Sequence, residues 1–473
     1  MQLVRTLQRR RSMFNHHRHH LAVELGETAK LALPMVLTQV AQVAMMTIDL
    51  AFIGRIGVEA IAAVALAGRV YLVSFTFGAG LLAPIATLAA QAFGAHNLTV
   101  IRRSLRMGLW TALLLSLPIV AFALCGEQML LALGQEPNAA RLAQQYLFGL
   151  ALGVAPALGF LVIRSVMGAV NRPEPLLWIT LAAIPAKILL AYLLINGAFG
   201  LPRLELFGVG LATTLVNCGT FLASLWFAVM CRPFRDYHVV GRLWRFDWVL
   251  MRQLIVIGTP ISIAALIGYG LFSAAALLAG RISTSALAAH QIALQVAAPL
   301  FMISFGISMA ATVRVAHAVG RNDGPGIKRA GQVAMLLGVV IAAMLTLAVI
   351  AARIALVELF IDESDVDNDS TVGLAAKLIL VGASFFVTEA ARGAAAGSLR
   401  GLKDTRVPLL LAGIAYWPIG FSLSYVLSFK VGLGVIGIWI GLSIGTTAYA
   451  GLLVLRFQLL ANRLALQSRN LSA

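Results

Sequence analysis

Charged residues are scarce in this sequence. Asp, Glu, Lys and Arg make up 12% of its 473 residues, about half the share of soluble domains, while hydrophobic residues make up 60% and the mean hydropathy is +0.90. Cysteine is also rare, and Cys125, Cys218 and Cys231 have no metal-type spacing. The composition excludes a soluble domain and a disulfide scaffold, and it indicates an integral membrane protein.

The sequence patterns of enzymes are also missing. The chain has no His-Glu zinc motif, no glycine loop with a lysine for phosphate, no nucleophile elbow and no pair of carboxylates on one helix. Four histidines lie in the basic tail at residues 16–20, where a solvated tail explains them better than a metal site because no other ligand cluster supports one. We therefore expect no enzyme, no cofactor and no metal, and the energy for any pumping must come from an ion gradient or from a partner.

Long apolar runs are what the chain has instead. A bilayer-spanning helix needs about 20 mostly apolar residues. Such runs form helices in a bilayer, because a helix satisfies all of its backbone hydrogen bonds internally. The sequence predicts twelve of them, near residues 31–54, 61–90, 107–125, 144–168, 176–199, 206–230, 254–279, 285–313, 332–352, 374–398, 407–429 and 433–456.

The net charge of +17 is distributed unevenly among the connections between these runs. Alternate connections hold clusters of Arg and Lys, for example at residues 102–106, 232–245 and 400–406, and the intervening ones hold about one each. This is the positive-inside pattern, so we expect both termini to be cytoplasmic in a multi-pass protein of the cell's inner (plasma) membrane. Membrane lipids and small organic molecules are the expected partners of a monomer, and nucleic acid is not needed to explain the charge.

The second half of the chain repeats the first. An offset of 226 residues aligns Pro34 with Pro260 and the triplet Gly-Arg-Ile at 54–56 with its copy at 280–282, and later the offset becomes 233. Six spans per copy place both copies in the same direction, which is the parallel-repeat plan of many secondary transporters. The expected divisions are a basic tail (1–28), an amino-terminal lobe (29–230), a cytoplasmic linker (231–250), a carboxyl-terminal lobe (251–457) and a carboxyl-terminal tail (458–473).

Two acidic residues, Asp49 and Glu389, lie well inside predicted spans. A central aspartate costs roughly 2.5–3.5 kcal/mol on insertion scales, so each is either a proton or cation site or one half of a static ion pair. Lys187 lies inside the fifth span, and Arg392 follows Glu389 by one turn on the same helix face. Since a buried lysine can lose its charge and an arginine cannot, Asp49 with Lys187 is the candidate proton-sensitive pair.

The aligned prolines and one acidic stretch each allow two interpretations. The aligned prolines Pro34 and Pro260 can kink their helices, and we expect them to act as hinges, although membrane helices in general contain more proline than soluble ones. The acidic stretch at residues 362–370 resembles a calcium loop, but Ser370 stands where the turn glycine belongs. A solvated external loop explains that stretch better.

Three stretches, LPMVLTQVAQVAMMTIDLAFIGRIG, LAAHQIALQVAAPLFMISFGISMAATVRVAHAVG and AAAGSLRGLKDTRVP, resemble the multidrug and toxic compound extrusion (MATE) family, closest to its NorM-like branch. The resemblance runs in order and spacing over nearly all of residues 25–457. It implies an all-α membrane protein with twelve transmembrane helices in two pseudo-symmetric six-helix bundles arranged as a V. It also implies exchange of sodium ions or protons for organic, often cationic and aromatic, compounds.

The resemblance implies roles for individual residues. Asp49 matches the first-span aspartate that the family uses for cation or proton binding, and Thr213 approximates the sixth-span position that supports it. Glu389 falls where NorM-like members have an acidic residue in the tenth span. Gln291 sits at a position expected to face the substrate cavity.

The sequence departs from the family pattern at four positions. Gly268 replaces a seventh-span glutamate, Phe385 replaces the tyrosine one turn before the tenth-span acid in the expected substrate cavity, and Lys187 and Ala191 replace an asparagine and a following acid or asparagine. A lysine ammonium there would occupy the space and charge of a sodium ion. We therefore expect Lys187 to pair with Asp49 and proton coupling to be favoured over sodium coupling.

The predicted function is a secondary antiporter that exports small organic molecules by alternating access. The alternative is an exporter or flippase of a lipid-linked or specific metabolite in the same broad superfamily. An intramembrane enzyme lacks a recognisable catalytic set, and a receptor or scaffold would leave Asp49 and Glu389 unexplained.

Overall fold

A computed structural model describes residues 2–197, 200, 202–232, 234–238, 241–359 and 368–472. The side chains of residues 2–21, 237, 368–369 and 469–472 lie outside this description. The histidines at 16–20 and nearly all of the acidic stretch at 362–370 are therefore outside the described side chains, and the expectations for them stay predictions.

The described backbone is almost wholly helical, with no strand in it. The α-helices in chain order are α1 (Gln2–Ile56), α2 (Val58–Leu82), α3 (Pro84–Gly94), α4 (Leu98–Leu124), α5 (Gly126–Ala132), α6 (Pro137–Ala151), α7 (Val154–Ala169), α8 (Glu174–Asn196), α9 (Glu205–Met230), α10 (Trp248–Ile282), α11 (Thr284–Gly320), α12 (Gly324–Ala351), α13 (Arg353–Glu358), α14 (Asn368–Val381), α15 (Ala383–Gly401), α16 (Arg406–Ile414), α17 (Ser422–Tyr425) and α18 (Val435–Ser472). A 3₁₀ turn, Phe234–Tyr237, lies between α9 and α10.

Ten helical segments in the described residues are long and apolar enough to cross a membrane, and two bent pairs raise the number to 12. Each of the twelve predicted spans corresponds to one of them, so the predicted all-α fold with twelve transmembrane helices is confirmed. Most of these helices extend beyond the predicted apolar runs. α8 is the clearest case of a minimal span, since its 23 residues measure about 35 Å.

The fourth and tenth spans are the two bent ones. α6 and α7 meet at 50°, and the α14 and α15 pair meets at 44°. At the second break a side chain on Gly382 would meet the ring of Trp439 at 2.7 Å, and at the first a side chain on Gly153 would meet Thr214 Oγ1 at 2.6 Å. Glycine at each break therefore lets the chain approach the neighbouring helix, α18 or α9, closely.

Short turns between spans carry their own hydrogen bonds. Asn97 accepts from the Val100 N–H at the start of α4, and Asp323 accepts from the Gly326 N–H at the start of α12. These two capping residues are related by the same offset that aligns Pro34 with Pro260. The repeat thus extends to the side chains that begin equivalent helices.

The residues form two compact units. The amino-terminal unit consists of Leu37–Ser273 with Lys403–Gly413, and the carboxyl-terminal unit consists of Met1–Val36, Ala274–Leu402 and Ile414–Ala473. α1 and α10 each contribute to both units.

Within each unit, hydroxyl side chains tie neighbouring helices together. In the amino-terminal unit Thr214 Oγ1 donates to the Gly149 carbonyl at 2.5 Å, joining α9 to α6. In the carboxyl-terminal unit Ser308 Oγ donates to the Gly393 carbonyl at 2.5 Å, joining α11 to α15. Small residues at these contacts bring the backbones close, which is how membrane helices pack without a hydrophobic driving force between them.

The eleventh span departs from regular α-helix around Pro418. Two π-helical segments, Ala415–Phe421 and Val426–Lys430, flank the single α turn α17. Proline has no N–H to donate to the preceding turn, and a wider turn accommodates it. Ser424 then donates to the Ile438 carbonyl at 3.0 Å, which fastens this irregular stretch to α18.

The connection before α10 is fastened to α4. Arg103 Nε donates to Asp247 Oδ2 at 2.8 Å, and Trp110 Nε1 donates to the Leu243 carbonyl at 2.7 Å. Burial by itself raises the pKa of the Asp247 carboxyl. Hydrogen bonds from Arg103 and from the Leu250 N–H lower the pKa by more than burial raises it, so the pKa lies below its usual value. This partly exposed ion pair contributes about 0.2–1 kcal/mol to the free energy of unfolding. The contribution is present near neutral pH and is lost as pH falls through the lowered pKa of Asp247.

The glycine at the tenth-span break yields a stability prediction. Gly382→Ala should destabilise the protein by about 1–3 kcal/mol, because the new methyl group overlaps the buried Trp439 ring. Gly373→Ala on α14 is the matched control, since a methyl group there meets nothing within 4 Å. Heating the two purified variants in detergent and measuring the folded fraction compares them. Equal melting of both variants would contradict the close approach at Gly382.

Candidate ion-coupling site

Three helices of the amino-terminal unit bring Asp49, Lys187 and Thr213 together. Asp49 lies on α1, Lys187 on α8 and Thr213 on α9, and Lys187 Nζ is 2.9 Å from Asp49 Oδ1. Lys187 shares the buried face of α8 with Ala183 and Ala191, one turn away on either side. The packing face of α8 therefore carries the ammonium into the unit, where the carboxylate of α1 meets it.

Thr213 completes a small hydrogen-bond network. Its hydroxyl oxygen accepts from Lys187 Nζ at 2.5 Å. Its single proton can go to the Val209 carbonyl at 3.1 Å or to Asp49 Oδ2 at 3.4 Å. The hydroxyl group of Thr213 thus contacts both the ammonium and the carboxylate, and its proton position depends on the state of Asp49.

Burial makes this pairing necessary. The side chain of Lys187 is 3% exposed and that of Asp49 is 15% exposed. A buried ammonium without a counter-charge is strongly destabilising, whereas the pair is neutral overall. The carboxylate is the more accessible partner of the two.

The second predicted pair lies in the carboxyl-terminal unit on a single helix. Arg392 Nε donates to Glu389 Oε2 at 2.8 Å, and Arg392 Nη2 donates to the other carboxylate oxygen. Both residues belong to α15, three positions apart, and they form a two-point pair. Since one helix carries both groups, movement of helices relative to each other does not separate them.

Tyrosines surround this second pair. The guanidinium carbon of Arg392 lies 5.8 Å from the centre of the Tyr449 ring, and the Tyr416 and Tyr449 rings pack edge to face at 5.0 Å. Neither tyrosine is among the site residues predicted from the sequence. Both tyrosines lie inside apolar spans, where a phenol hydroxyl group needs a polar neighbour, and that pattern could have identified them from the sequence.

The two residues expected in the substrate cavity lie in different surroundings. Gln291 is exposed on α11. Phe385 is 1% exposed and packs edge to face against Phe301 and Trp439, with ring centres 5.6 and 6.2 Å apart. A ligand would contact Phe385 only after this aromatic cluster opened, so its role in binding stays a prediction.

The expected hinges lie inside unbroken helices. Pro34 is buried within α1 and Pro260 within α10. Neither helix is divided at its proline, and the role of both as hinges stays a prediction.

Two further basic residues, Arg164 and Arg69, lie inside spans and were not predicted from the sequence as site residues. Arg164 on α7 donates from Nη1 to Gln39 Oε1 at 2.9 Å, and its buried Nε has no hydrogen-bond partner. Arg69 on α2 is exposed. Counting every charge within each apolar run, rather than those near its centre, would have found both arginines. Arg400 of the basic cluster at 400–406 lies in the last turn of α15 and donates to Ser308 Oγ at 2.9 Å.

The charged positions are not duplicated between the repeats. The later offset aligns Thr213 with Thr446, but it aligns Lys187 with Gly420, and the first offset aligns Asp49 with Ala275. Ala275 and Thr446 are each 1% exposed. The second copy therefore keeps the threonine in a packed core and lacks both charges.

Among the described residues no group of three or more His, Cys, Asp or Glu side chains could hold a metal ion. A groove of 640 Å³ lies in the carboxyl-terminal unit, lined by apolar residues with Arg281 and Tyr425. None of the predicted site residues lines it. The chemistry of the site is thus that of ion pairs and hydroxyl groups.

Solved structures share this fold. The crystal structure of the eukaryotic MATE transporter AtDTX14 has a TM-score of 0.83 and 19% sequence identity, covering 95% of this chain and 99% of that chain. An outward-facing multidrug resistance MATE family transporter of the MOP superfamily has a TM-score of 0.83 and 18% identity, covering 93% of this chain and 96% of that chain. The architecture is therefore the fold of MATE membrane transporters.

Sequence comparisons give the family. The MatE family model matches residues 34–193 and 260–426, so both matches begin at an aligned proline. A "Probable multidrug resistance protein NorM" of Bradyrhizobium diazoefficiens is 59% identical over 446 residues, which are 94% of this chain and 96% of that protein. A "Multidrug resistance protein NorM" of Burkholderia vietnamiensis is 35% identical over 436 residues, 92% of this chain and 93% of that protein.

The chain belongs to the MatE family. Membership confirms the family resemblance, and with it the prediction of a transporter rather than an enzyme. The roles of Asp49, Lys187, Thr213, Glu389 and Arg392 in coupling stay predictions.

The Asp49–Lys187 pair yields a stability prediction. Asp49→Asn should lower the free energy of unfolding by about 3–5 kcal/mol, because it leaves the buried ammonium without a counter-charge. The double variant with Lys187→Met should recover most of that loss, since neither charge then remains. Melting of the single and double variants in detergent measures the coupling. Additive losses in the double variant would show that the two groups do not interact.

Proposed function

We propose that this protein is a secondary multidrug antiporter of the plasma membrane, which exports small organic molecules in exchange for protons by alternating access. Its MatE family membership and the multidrug resistance names of its relatives support the export of organic compounds. The observation that carries the proton coupling is the buried pair of Asp49 and Lys187. We also propose the lobe boundaries 29–230 and 251–457, with both termini cytoplasmic.

A proton on Asp49 removes the negative partner of Lys187. The ammonium then keeps the Thr213 oxygen as its described polar contact, which is a poorer match for a buried charge than a carboxylate. The three groups lie on three different helices, so protonation favours a rearrangement of α1 against α8 and α9. When the proton leaves, the ion pair re-forms and draws these helices back together.

Sodium coupling is disfavoured at this site by the lysine. Sodium would need oxygen ligands around Asp49, but Lys187 already places a positive charge 2.9 Å from Oδ1. A second cation beside the ammonium would be repelled. In the amino-terminal unit, binding of a proton to Asp49 therefore takes the place of its ion pair with Lys187.

The Glu389–Arg392 pair has a different role in this proposal. Its two groups are held on one helix, and the arginine stays protonated. We therefore treat this pair as a fixed ion pair of α15, and we place the proton-sensitive switch at Asp49.

The available energy is sufficient for modest accumulation. One elementary charge crossing 100 mV supplies about 2.3 kcal/mol. Since about 1.4 kcal/mol changes an equilibrium tenfold, one proton exchanged for one uncharged substrate molecule supports roughly a 50-fold concentration ratio.

An exporter or flippase of a lipid-linked or specific metabolite is the second candidate. The observation that favours it is a further arginine inside a span, Arg164 on α7, since lipid-linked metabolites carry phosphates that arginine binds. Transport of simple dyes in the absence of any lipid-linked compound distinguishes the multidrug antiporter from this alternative.

Proteoliposomes with separately imposed gradients test the proposed coupling. A pH difference should drive uptake of a fluorescent cationic dye at least tenfold faster than no gradient, and a sodium gradient at equal pH should not drive it. Asp49→Asn should lose the response to pH, because an amide cannot take up the proton. The matched control is Glu127→Gln, which removes a carboxylate near the start of α5 outside the site.

Two results would contradict the proposal. Uptake driven by sodium alone in the wild-type protein would place the coupling ion elsewhere. An unaltered pH response in Asp49→Asn would remove Asp49 from the coupling step.

A further inference from the structure

The groove in the carboxyl-terminal unit lies beside the carboxyl end of α10. Its volume of about 640 Å³ is within the range of about 300–1,000 Å³ that is usual for ligand pockets. Three places in the chain line it: residues 274–281 at the end of α10, Leu287 of α11, and Phe421 with Tyr425 of the eleventh span. Of these lining residues, Arg281 carries the charge and nearly all the others are apolar.

One end of the groove lies at a membrane surface. α10 ends at Ile282 and α11 begins at Thr284, so Arg281 lies in the last turn before a short connection between two spans. Such a connection lies outside the hydrocarbon, where backbone groups that leave a helix find hydrogen-bond partners. Ala274, at the other end of the lining on α10, lies seven residues earlier, about 10 Å deeper along the helix axis. The groove therefore runs from the surface toward the hydrocarbon core.

The polar atoms of the groove are distributed as an amphiphilic ligand requires. Arg281 is exposed, and it makes no hydrogen bond or ion pair with the described part of the chain. Tyr425, which is 41% exposed, is a residue type that is enriched at membrane interfaces. The alanine and leucine side chains of α10 and the Phe421 ring supply the rest of the surface. A matching ligand has an anionic group at one end and a hydrocarbon body.

The aligned arginine of the first repeat is held differently. The offset of 226 residues aligns Arg281 with Arg55, and it aligns Leu278 with Phe52. The guanidinium carbon of Arg55 lies 5.7 Å from the centre of the Phe52 ring, so this arginine stacks on its own helix. Leu278 has no ring to offer, and it lines the groove. The second repeat thus leaves its arginine available to a ligand.

We propose that this groove is a phospholipid-binding site, in which Arg281 binds the phosphate and the apolar lining holds the adjoining part of an acyl chain. The planar guanidinium donates two parallel hydrogen bonds to phosphate oxygens. Phospholipid phosphates lie at the membrane surface, where Arg281 ends the groove, and the acyl chains extend toward the core as the groove does. The site is separate from the proposed coupling site, since Asp49 and Lys187 belong to the amino-terminal unit.

A pair of lipids that differ in the headgroup tests this site. The first is phosphatidylglycerol, and the second is the diacylglycerol with the same two acyl chains, which lacks the phosphate. The delipidated full-length protein in detergent is titrated with each lipid, and the bound molecules are counted by native mass spectrometry. The wild-type protein should bind its first phosphatidylglycerol at least tenfold more tightly than its first diacylglycerol.

Substitutions of the arginine test the headgroup contact. Arg281→Gln should weaken binding of the first phosphatidylglycerol at least tenfold and leave diacylglycerol binding unchanged. Arg281→Lys should weaken it less, because a lysine keeps the charge but loses the second parallel hydrogen bond. Arg55→Gln is the matched control, since it removes the aligned exposed arginine at the end of α1 and should leave the binding of both lipids unchanged.

A substitution that keeps the arginine tests the acyl-chain contact. Leu278→Phe reproduces the arrangement of the first repeat, because it places a ring beside Arg281 and reduces the space in the groove. It should weaken binding of both lipids severalfold. Ala274→Leu, at a half-buried position of the same lining, is the second variant of this kind. Melting of each variant in detergent without added lipid shows that it is folded.

Equal affinity of the wild-type protein for the two lipids would overturn the site, as would wild-type binding of phosphatidylglycerol by Arg281→Gln. Equal losses in Arg281→Gln and Arg55→Gln would show a general attraction of the lipid to surface arginines, which also contradicts a site in this groove. Unchanged lipid binding in both Leu278→Phe and Ala274→Leu would show that the groove does not hold the acyl chain. These are binding measurements, so their outcome is independent of whether the proposed antiport is observed.

Discussion

A charged side chain inside a bilayer has little water to solvate it, and this constraint governs the buried chemistry of both units. Lys187 is almost completely buried, and its position requires a carboxylate within bonding distance, which α1 supplies through Asp49. The Thr213 hydroxyl group accepts a hydrogen bond from the same ammonium. The packing of α1, α8 and α9 is therefore tied to the charge state of one carboxyl group.

The duplication preserved the helices and not the charges. Lys187 aligns with Gly420, and Glu389 and Arg392 align with Pro156 and Gly159. The pair in the amino-terminal unit joins different helices and can be broken by moving them, whereas the pair in the carboxyl-terminal unit lies within α15 and moves with it. Two halves with a common scaffold thus carry one separable and one fixed ion pair.

Much of this organisation could be predicted from the sequence. Apolar run length is a local property, so twelve spans and their approximate limits were accessible, and repeated prolines and glycines revealed the duplication. The bends of the fourth and tenth spans were not accessible, because they depend on how closely Gly153 and Gly382 approach Thr214 and Trp439 on other helices. The same holds for Phe385, whose burial depends on aromatic rings from α11 and α18.

By itself, the sequence determined that this chain is a two-fold repeated helical membrane protein with a few charges retained at an energetic cost. Hydropathy, charge asymmetry and residue spacing are properties of the linear chain, and they are sufficient for that conclusion. Only the tertiary structure decided which charges neutralise each other. Lys187 and Arg69 look alike as single basic residues in apolar runs, but one faces Asp49 across a helix contact and the other is exposed on α2. The difference lies in the helix packing, which brings residues far apart in the chain within a few ångströms of each other.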